Sequence, residues 1–186
     1  MGQENSQLER MAMKLEIGGG KKPREGYLQM DVKKLPGIDV VGDVRKLPFK
    51  DGELDEIYGH WILEHFAYQE IPDILYEWKR ALKKGGLLHL VTNNGEAHIK
   101  AFFEKVITIH ELNRMLFGVE LKKGSEPQHE HSGNWKIEDL HKIIWTHELV
   151  EYFFTGFSKL EIIETWKHRE DNGSLKCPGI IIKAIK

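Results

Sequence analysis

Lys14-Leu15-Glu16-Ile17-Gly18-Gly19-Gly20 is a short strand-like run that ends on three consecutive glycines. Glycine allows positive φ and close approach of the backbone to a bound molecule, so this junction is where a ligand could lie against the chain. Four more runs end on small or polar residues. Tyr27–Met30 closes on Asp31, Ile38–Val41 on Gly42-Asp43, Leu54–Tyr58 on Gly59-His60, and Leu87–Val91 on Thr92-Asn93-Asn94. Such endings are what the ligand-facing termini of parallel strands require. Between the fourth and fifth runs, Ile71, Ile74, Leu75, Trp78 and Leu82 recur at helical spacing. Pro72 suits the first turn of that helix, Gly85-Gly86 would stop it, and Trp78 reads as core. A later helix is predicted from His147 to Phe154, with Thr146 as its cap and Gly156 as its stop. Lys159–Glu164 and Gly179–Ile185 supply two final strands. Strands alternating with helices predict an α/β domain with a mainly parallel sheet.

Composition sets the outer bounds. The 186 residues suit one domain, 1–186, and the 40% apolar content suffices for a sizeable core. Charged residues make up 30% and the formal net charge is -2. The lysine pairs are scattered among acids and form no basic stripe, so no nucleic-acid partner is expected. No apolar run approaches the ~20 residues of a membrane span, so no membrane partner is expected. The polar start, Met1 to Arg10, lacks the apolar segment of a signal peptide. With Cys177 as the one cysteine, no internal disulfide can form. A reducing, cytoplasmic location suits this composition.

The glycine loop excludes one ligand class. A nicotinamide fingerprint needs a glycine three residues after Gly20, where Pro23 stands, and an acidic residue ~20 positions on. Asp31 comes only eleven after Gly20, which leaves no room for a full first helix. A nicotinamide-dependent oxidoreductase is therefore disfavoured.

The ordered series Glu16-Ile17-Gly18-Gly19-Gly20, Asp31, Gly42-Asp43 through Leu47-Pro48-Phe49, Leu54-Asp55-Glu56-Ile57, Leu63-Glu64-His65 and Leu82-Lys83-Lys84-Gly85-Gly86 resembles the class I S-adenosylmethionine-dependent methyltransferases. It is most similar to a small subgroup with a shortened first helix. The resemblance covers roughly Lys14 to Asn94, and Gly156-Phe157 followed by a strand continues it. It implies a Rossmann-like fold and S-adenosylmethionine as cofactor. It places Glu16 and Gly18–Gly20 at the motif beneath the methionine and ribose portions. Asp31 would accept from the ribose hydroxyls, since a carboxylate has two acceptor oxygens. Asp43 would accept from the adenine amino group, the Val44 N–H would reach a ring nitrogen, and Leu47 or Phe49 would pack on the adenine face. Either aspartate could instead only cap a turn.

His60 and Trp61 fall beside the expected position of the reactive methyl. His60 and His141 are the candidate catalytic residues, because an imidazole can accept a proton near neutral pH; both could equally be structural. His129-Glu130-His131 offers two metal ligands, fewer than an ordered zinc shell needs, so no metal is expected. The segment from about Glu96 to Trp135 is expected to be a lid-like insertion after strand five. The function expected is methyl transfer to a small-molecule acceptor. A module that binds the cofactor or its product without transferring the methyl group is the alternative.

Overall fold

The computed structural model describes residues 12–18, 24–120, 128–129, 140–166 and 177–186. Among these residues nine strands run in chain order: β1 (Lys14–Ile17), β2 (Leu28–Asp31), β3 (Val40–Val41), β4 (Leu54–His60), β5 (Leu82–Asn93), β6 (Val119–Glu120), β7 (Gln128–His129), β8 (Lys159–Glu164) and β9 (Gly179–Ile185). Four α-helices accompany them: α1 (Ile71–Ala81), α2 (Gly95–Phe103), α3 (Ile109–Phe117) and α4 (His147–Phe153). Seven strands form one sheet in the order β3-β2-β1-β4-β5-β9-β8. The first five are mutually parallel, whereas β9 runs antiparallel to both β5 and β8. The order reverses between β1 and β4, which makes the carboxyl ends of those strands the crevice where such sheets bind ligands.

Strand alternation divides the sheet into two unlike faces. Leu15, Ile17, Met30, Ile57, Leu88, Leu90, Ile180, Ile182 and Ala184 point to one side and are buried. There they meet Ile71, Ile74, Leu75, Trp78 and Ala81 of α1, and Val150 and Phe154 at α4. The opposite face is mixed, with a polar central row. One register row crosses six strands as Gln29, Glu16, Tyr58, His89, Lys183 and Glu161. Its members are held by charge and ring contacts. The Arg24 guanidinium lies 3.8 Å from the Tyr58 ring centre, Tyr58 and His89 meet edge to face, and Lys14 pairs with Glu56 at 3.2 Å. Burial pushes the Tyr27 hydroxyl on this side up to about 12, and drives His89 below the ordinary imidazole value.

Several element boundaries differ from those the sequence predicts. The third strand is only Val40–Val41. Helix α1 ends at Ala81, and Leu82 already has extended backbone. Leu82 matches the helical spacing because it is fully buried, and periodicity reports burial rather than conformation. Gly85-Gly86 therefore does not stop the helix. It forms a kink inside the long strand β5, with Gly85 at φ 79° and a register shift opposite Leu54–Glu56. Helix α4 starts on its expected cap, where the Thr146 side chain accepts from the Leu149 N–H, but stops at Phe154 rather than Gly156.

The insertion after β5 contains two helices. The Asn94 side chain accepts from Ala97 N–H at 3.0 Å and starts α2, whose Ala97, His98 and Ala101 are buried. Ala101, Ile107 and Met115 form a small second core with Phe102 and Leu112. The front of the expected lid thus has a small core of its own, while Ile99, Phe103, Ile109 and Phe117 remain exposed. Much of 120–139, including Glu130 and His131, lies outside the described residues.

Candidate cofactor site and buried polar cluster

The carboxyl ends of β1, β2, β3 and β4 bring Gly18, Asp31, Asp43, His60 and Trp61 to one edge. Gly18 follows β1 at φ 69°, a conformation that favours glycine. A Cβ there would also stand 2.9 Å from Ile62 Cδ1. Its N–H donates to the Met30 carbonyl, which keeps the loop beside β2. Gly19 and Gly20 lie outside the described residues. Glu16 is buried, and its carboxylate accepts from the Arg24 N–H at 2.8 Å, which fastens the far end of the glycine loop.

Asp31 ends β2. Its Oδ1 accepts from Lys33 N–H at 2.9 Å, as a turn-capping aspartate does, and the carboxylate retains further acceptor sites. Asp43 follows β3 and engages Arg45 twice, through the backbone N–H and the guanidinium at 3.0 Å. Arg45 also pairs with Glu70.

The loop after Asp43 is clasped by α1. The fully buried Trp78 donates its indole N–H to the Val44 carbonyl at 2.8 Å. Glu77 accepts from the Leu47 N–H at 2.8 Å and is gripped in turn by Arg80. The Arg80 hydrogen bonds hold the Glu77 carboxyl below its ordinary range. Leu47 departs from expectation: its side chain is 3% exposed and belongs to the core, so it does not present a face to a ligand. Phe49 is half-buried against the same core.

His60 is the exposed last residue of β4, with its ring edge-on to Trp61. Trp61 has φ 55°, an unusual conformation for a bulky residue, and its N–H donates to Val91. His141 is grouped elsewhere. It meets His65 edge to face, and ligand atoms of Glu64, His65 and His141 all lie within 4.8 Å of one another.

Glu64 is the residue that sequence reasoning leaves without a role. It sits in a 3-10 turn, Leu63–His65, just after β4, and is fully buried. Thr92 of β5 donates its hydroxyl to Oε2 at 3.0 Å. Oε1 has no hydrogen-bond partner among the described residues. Burial pushes this carboxyl up to about 7, with the Thr92 hydrogen bond pulling the other way. Asn93 Nδ2 and Trp145 Nε1, also buried at this end of β5 and the segment beside it, likewise have no partner among the described residues. The Leu63-Glu64-His65 motif marks the position of Glu64 but not its burial, which depends on chain that returns about eighty residues later.

Glycine at the reversal point, acids closing β2 and β3, and an antiparallel β9 between β5 and β8 together decide the architecture. The fold is that of a class I S-adenosylmethionine-dependent methyltransferase. A family model described as a methyltransferase domain matches residues 15–90. A methyltransferase structure from Methanosarcina mazei superposes with TM-score 0.58 at 19% identity, covering 95% of this chain and 93% of that one. One from Archaeoglobus fulgidus gives 0.59 at 12% identity, covering 95% and 86%. One from Mesorhizobium loti gives 0.55 at 11% identity, covering 95% and 91%. No curated protein matches the sequence. S-adenosylmethionine is the cofactor that goes with this fold, and Gly18, Asp31 and Asp43 fit it. Gly18 leaves backbone in close reach, and the two carboxylates are acceptors for hydroxyl and amino donors. No helix among the described residues is long and apolar enough to cross a membrane.

Proposed function

We propose that this chain transfers a methyl group from S-adenosylmethionine to a nucleophilic atom of a small molecule. The observation that carries this reading is the convergence of Gly18, Asp31, Asp43 and His60 on the carboxyl edge of β1–β4, at the reversal of strand order. When bound, the cofactor supplies an activated methyl carbon on a sulfonium. The acceptor's lone pair forms the new bond to that carbon as the carbon–sulfur bond breaks, and the acceptor's proton leaves to a base or to water.

The protein's tasks are then alignment and exclusion of water. Asp31 holds the ribose hydroxyls. Asp43 takes the adenine amino group, and the Val44 N–H reaches a ring nitrogen. The glycine loop, braced by Glu16, passes beneath the methionine end. His60 and Trp61 flank the methyl position. His60 and His141 are the imidazoles that could receive the acceptor's proton. The described front of the insertion, α2 and α3, would cover the acceptor side, supported by the position of α2 directly after β5.

Calorimetric titration tests the cofactor half of this reading. S-adenosylmethionine and S-adenosylhomocysteine should bind, with NAD far weaker. Binding of NAD without adenosylmethionine would falsify it. Labelled-methyl transfer to a panel of phenols, amines and thiols tests the rest.

A further inference from the structure

We infer that Glu64, His65 and His141 form a binding site for a divalent transition-metal ion, with Zn²⁺ the species that suits them. Two imidazoles and one carboxylate match the ligands that zinc accepts, whereas magnesium and calcium favour all-oxygen shells. Two donors each ~2.1 Å from one ion are at most ~4.2 Å apart. The three donor atoms already lie within 4.8 Å of one another, so sub-ångström side-chain movement closes the shell.

The carboxylate itself points to a cation. Glu64 is fully buried, and among the described residues Oε1 has no hydrogen-bond partner. Among the described residues no lysine or arginine forms an ion pair with it. A buried carboxylate left this way is costly, and a bound cation removes the cost.

The surroundings already hold two of the ligands in place. Thr92 donates its hydroxyl to Glu64 Oε2 and orients the carboxylate. His141 Nδ1 lies 3.3 Å from the Met115 carbonyl. A carbonyl only accepts, so this contact calls for the proton on Nδ1 and leaves Nε2 its lone pair. Two backbone hydrogen bonds fasten the segment that carries His141. Lys142 N–H donates to the Glu64 carbonyl at 2.7 Å, and His141 N–H to Phe117 at 3.2 Å. An ion there would join the turn after β4 to the segment before α4. Three protein ligands leave a coordination position open for water or another oxygen. Under the methyl-transfer reading, His141 would then be a ligand and proton acceptance would fall to His60. The metal site itself does not depend on that reading.

The test uses the full chain, stripped with a chelator and titrated with Co²⁺ while visible absorption is followed, then displaced with Zn²⁺. One ion per chain should bind and develop ligand-field bands. Glu64→Gln keeps the shape and the Thr92 hydrogen bond, so its loss of Co²⁺ with unchanged circular dichroism reports ligation and not unfolding. His141→Ala should also lose the bands. Thr92→Val should weaken binding by about 10–100-fold, as removal of an orienting partner does. Absence of saturable Co²⁺ binding by the wild type would overturn the inference. So would binding that persists unchanged in both Glu64→Gln and His141→Ala. Adenosylmethionine titration of the same samples separates failure of this site from failure of the methyltransferase reading.

Discussion

Trp78→Phe tests whether α1 holds the cofactor loop as well as the core. Trp78 is fully buried, and its indole N–H is bonded to the Val44 carbonyl at 2.8 Å. Phenylalanine keeps an aromatic ring but removes the donor. Leaving the buried Val44 carbonyl unpaired should cost about 1–3 kcal/mol. The smaller ring leaves roughly 40 Å³ unfilled, which at ~24 cal/mol per Å³ adds about 1 kcal/mol. The sum, about 2–4 kcal/mol, should appear as a lower urea midpoint with an unchanged slope. Val44 also follows Asp43, so adenosylmethionine affinity should fall in calorimetric titration. Ile74→Val, on the same buried face, is the control: it should cost about 0.5–1.5 kcal/mol and leave affinity alone. A stability loss under about 0.5 kcal/mol in Trp78→Phe would refute the hydrogen-bond argument. A full loss of stability with unaltered affinity would detach the loop from cofactor binding.

Other expectations follow from the same geometry. Asp31→Ala should weaken adenosylmethionine by roughly 1.5–3 kcal/mol, the range for hydrogen bonds to a charged group, with Asp43→Ala acting in the same direction; wild-type affinity in both would remove these acids from the site. In metal-free protein, Glu64 rises from 4.5 unfolded to about 7 folded. The stability it contributes is complete below the unfolded value and is lost as pH rises through the folded one, by about 3 kcal/mol at 1.36 per unit. Urea unfolding between about pH 5 and 8 should show this decline in wild type and not in Glu64→Gln, and matching profiles would count against it. Glu77 is held low by Arg80, so its contribution has the opposite sign. It is present above the unfolded value and fades as pH falls, and Glu77→Gln should flatten that acid limb. His60→Ala should lower turnover, once an acceptor is known, with little change in cofactor affinity; full turnover would leave proton removal to water or another base.

The fold was legible wherever one short segment carries its own signal. Strands ending in Gly18, Asp31, Asp43 and His60 announce a parallel sheet and its ligand edge, and the Ile71–Trp78 spacing announces α1. Leu82 misled because burial has the same spacing on a helix and on a strand that continues it. Leu47 misled for a related reason: an apolar residue near a ligand loop can serve the core instead. Glu64 was legible in its motif but not in its burial. Its chemistry arises only when Thr92 of β5 and His141 return to it, and no local pattern encodes those approaches.

The reversed strand β9 has a consequence for how the sheet assembles. Among the described residues β8 pairs with β9 alone in the sheet, while β9 is seated along β5. The earlier strands can align with one another through crossovers of modest length. The β8 edge has nowhere to dock until residues 179–185 have found β5, nearly ninety positions away in the chain. Closing so long a loop delays that contact. The chain should therefore pass through a stage in which the cofactor edge is organised while the far flank is still unzipped, so that Ile180 and Ile182 govern the completion of folding more than its onset.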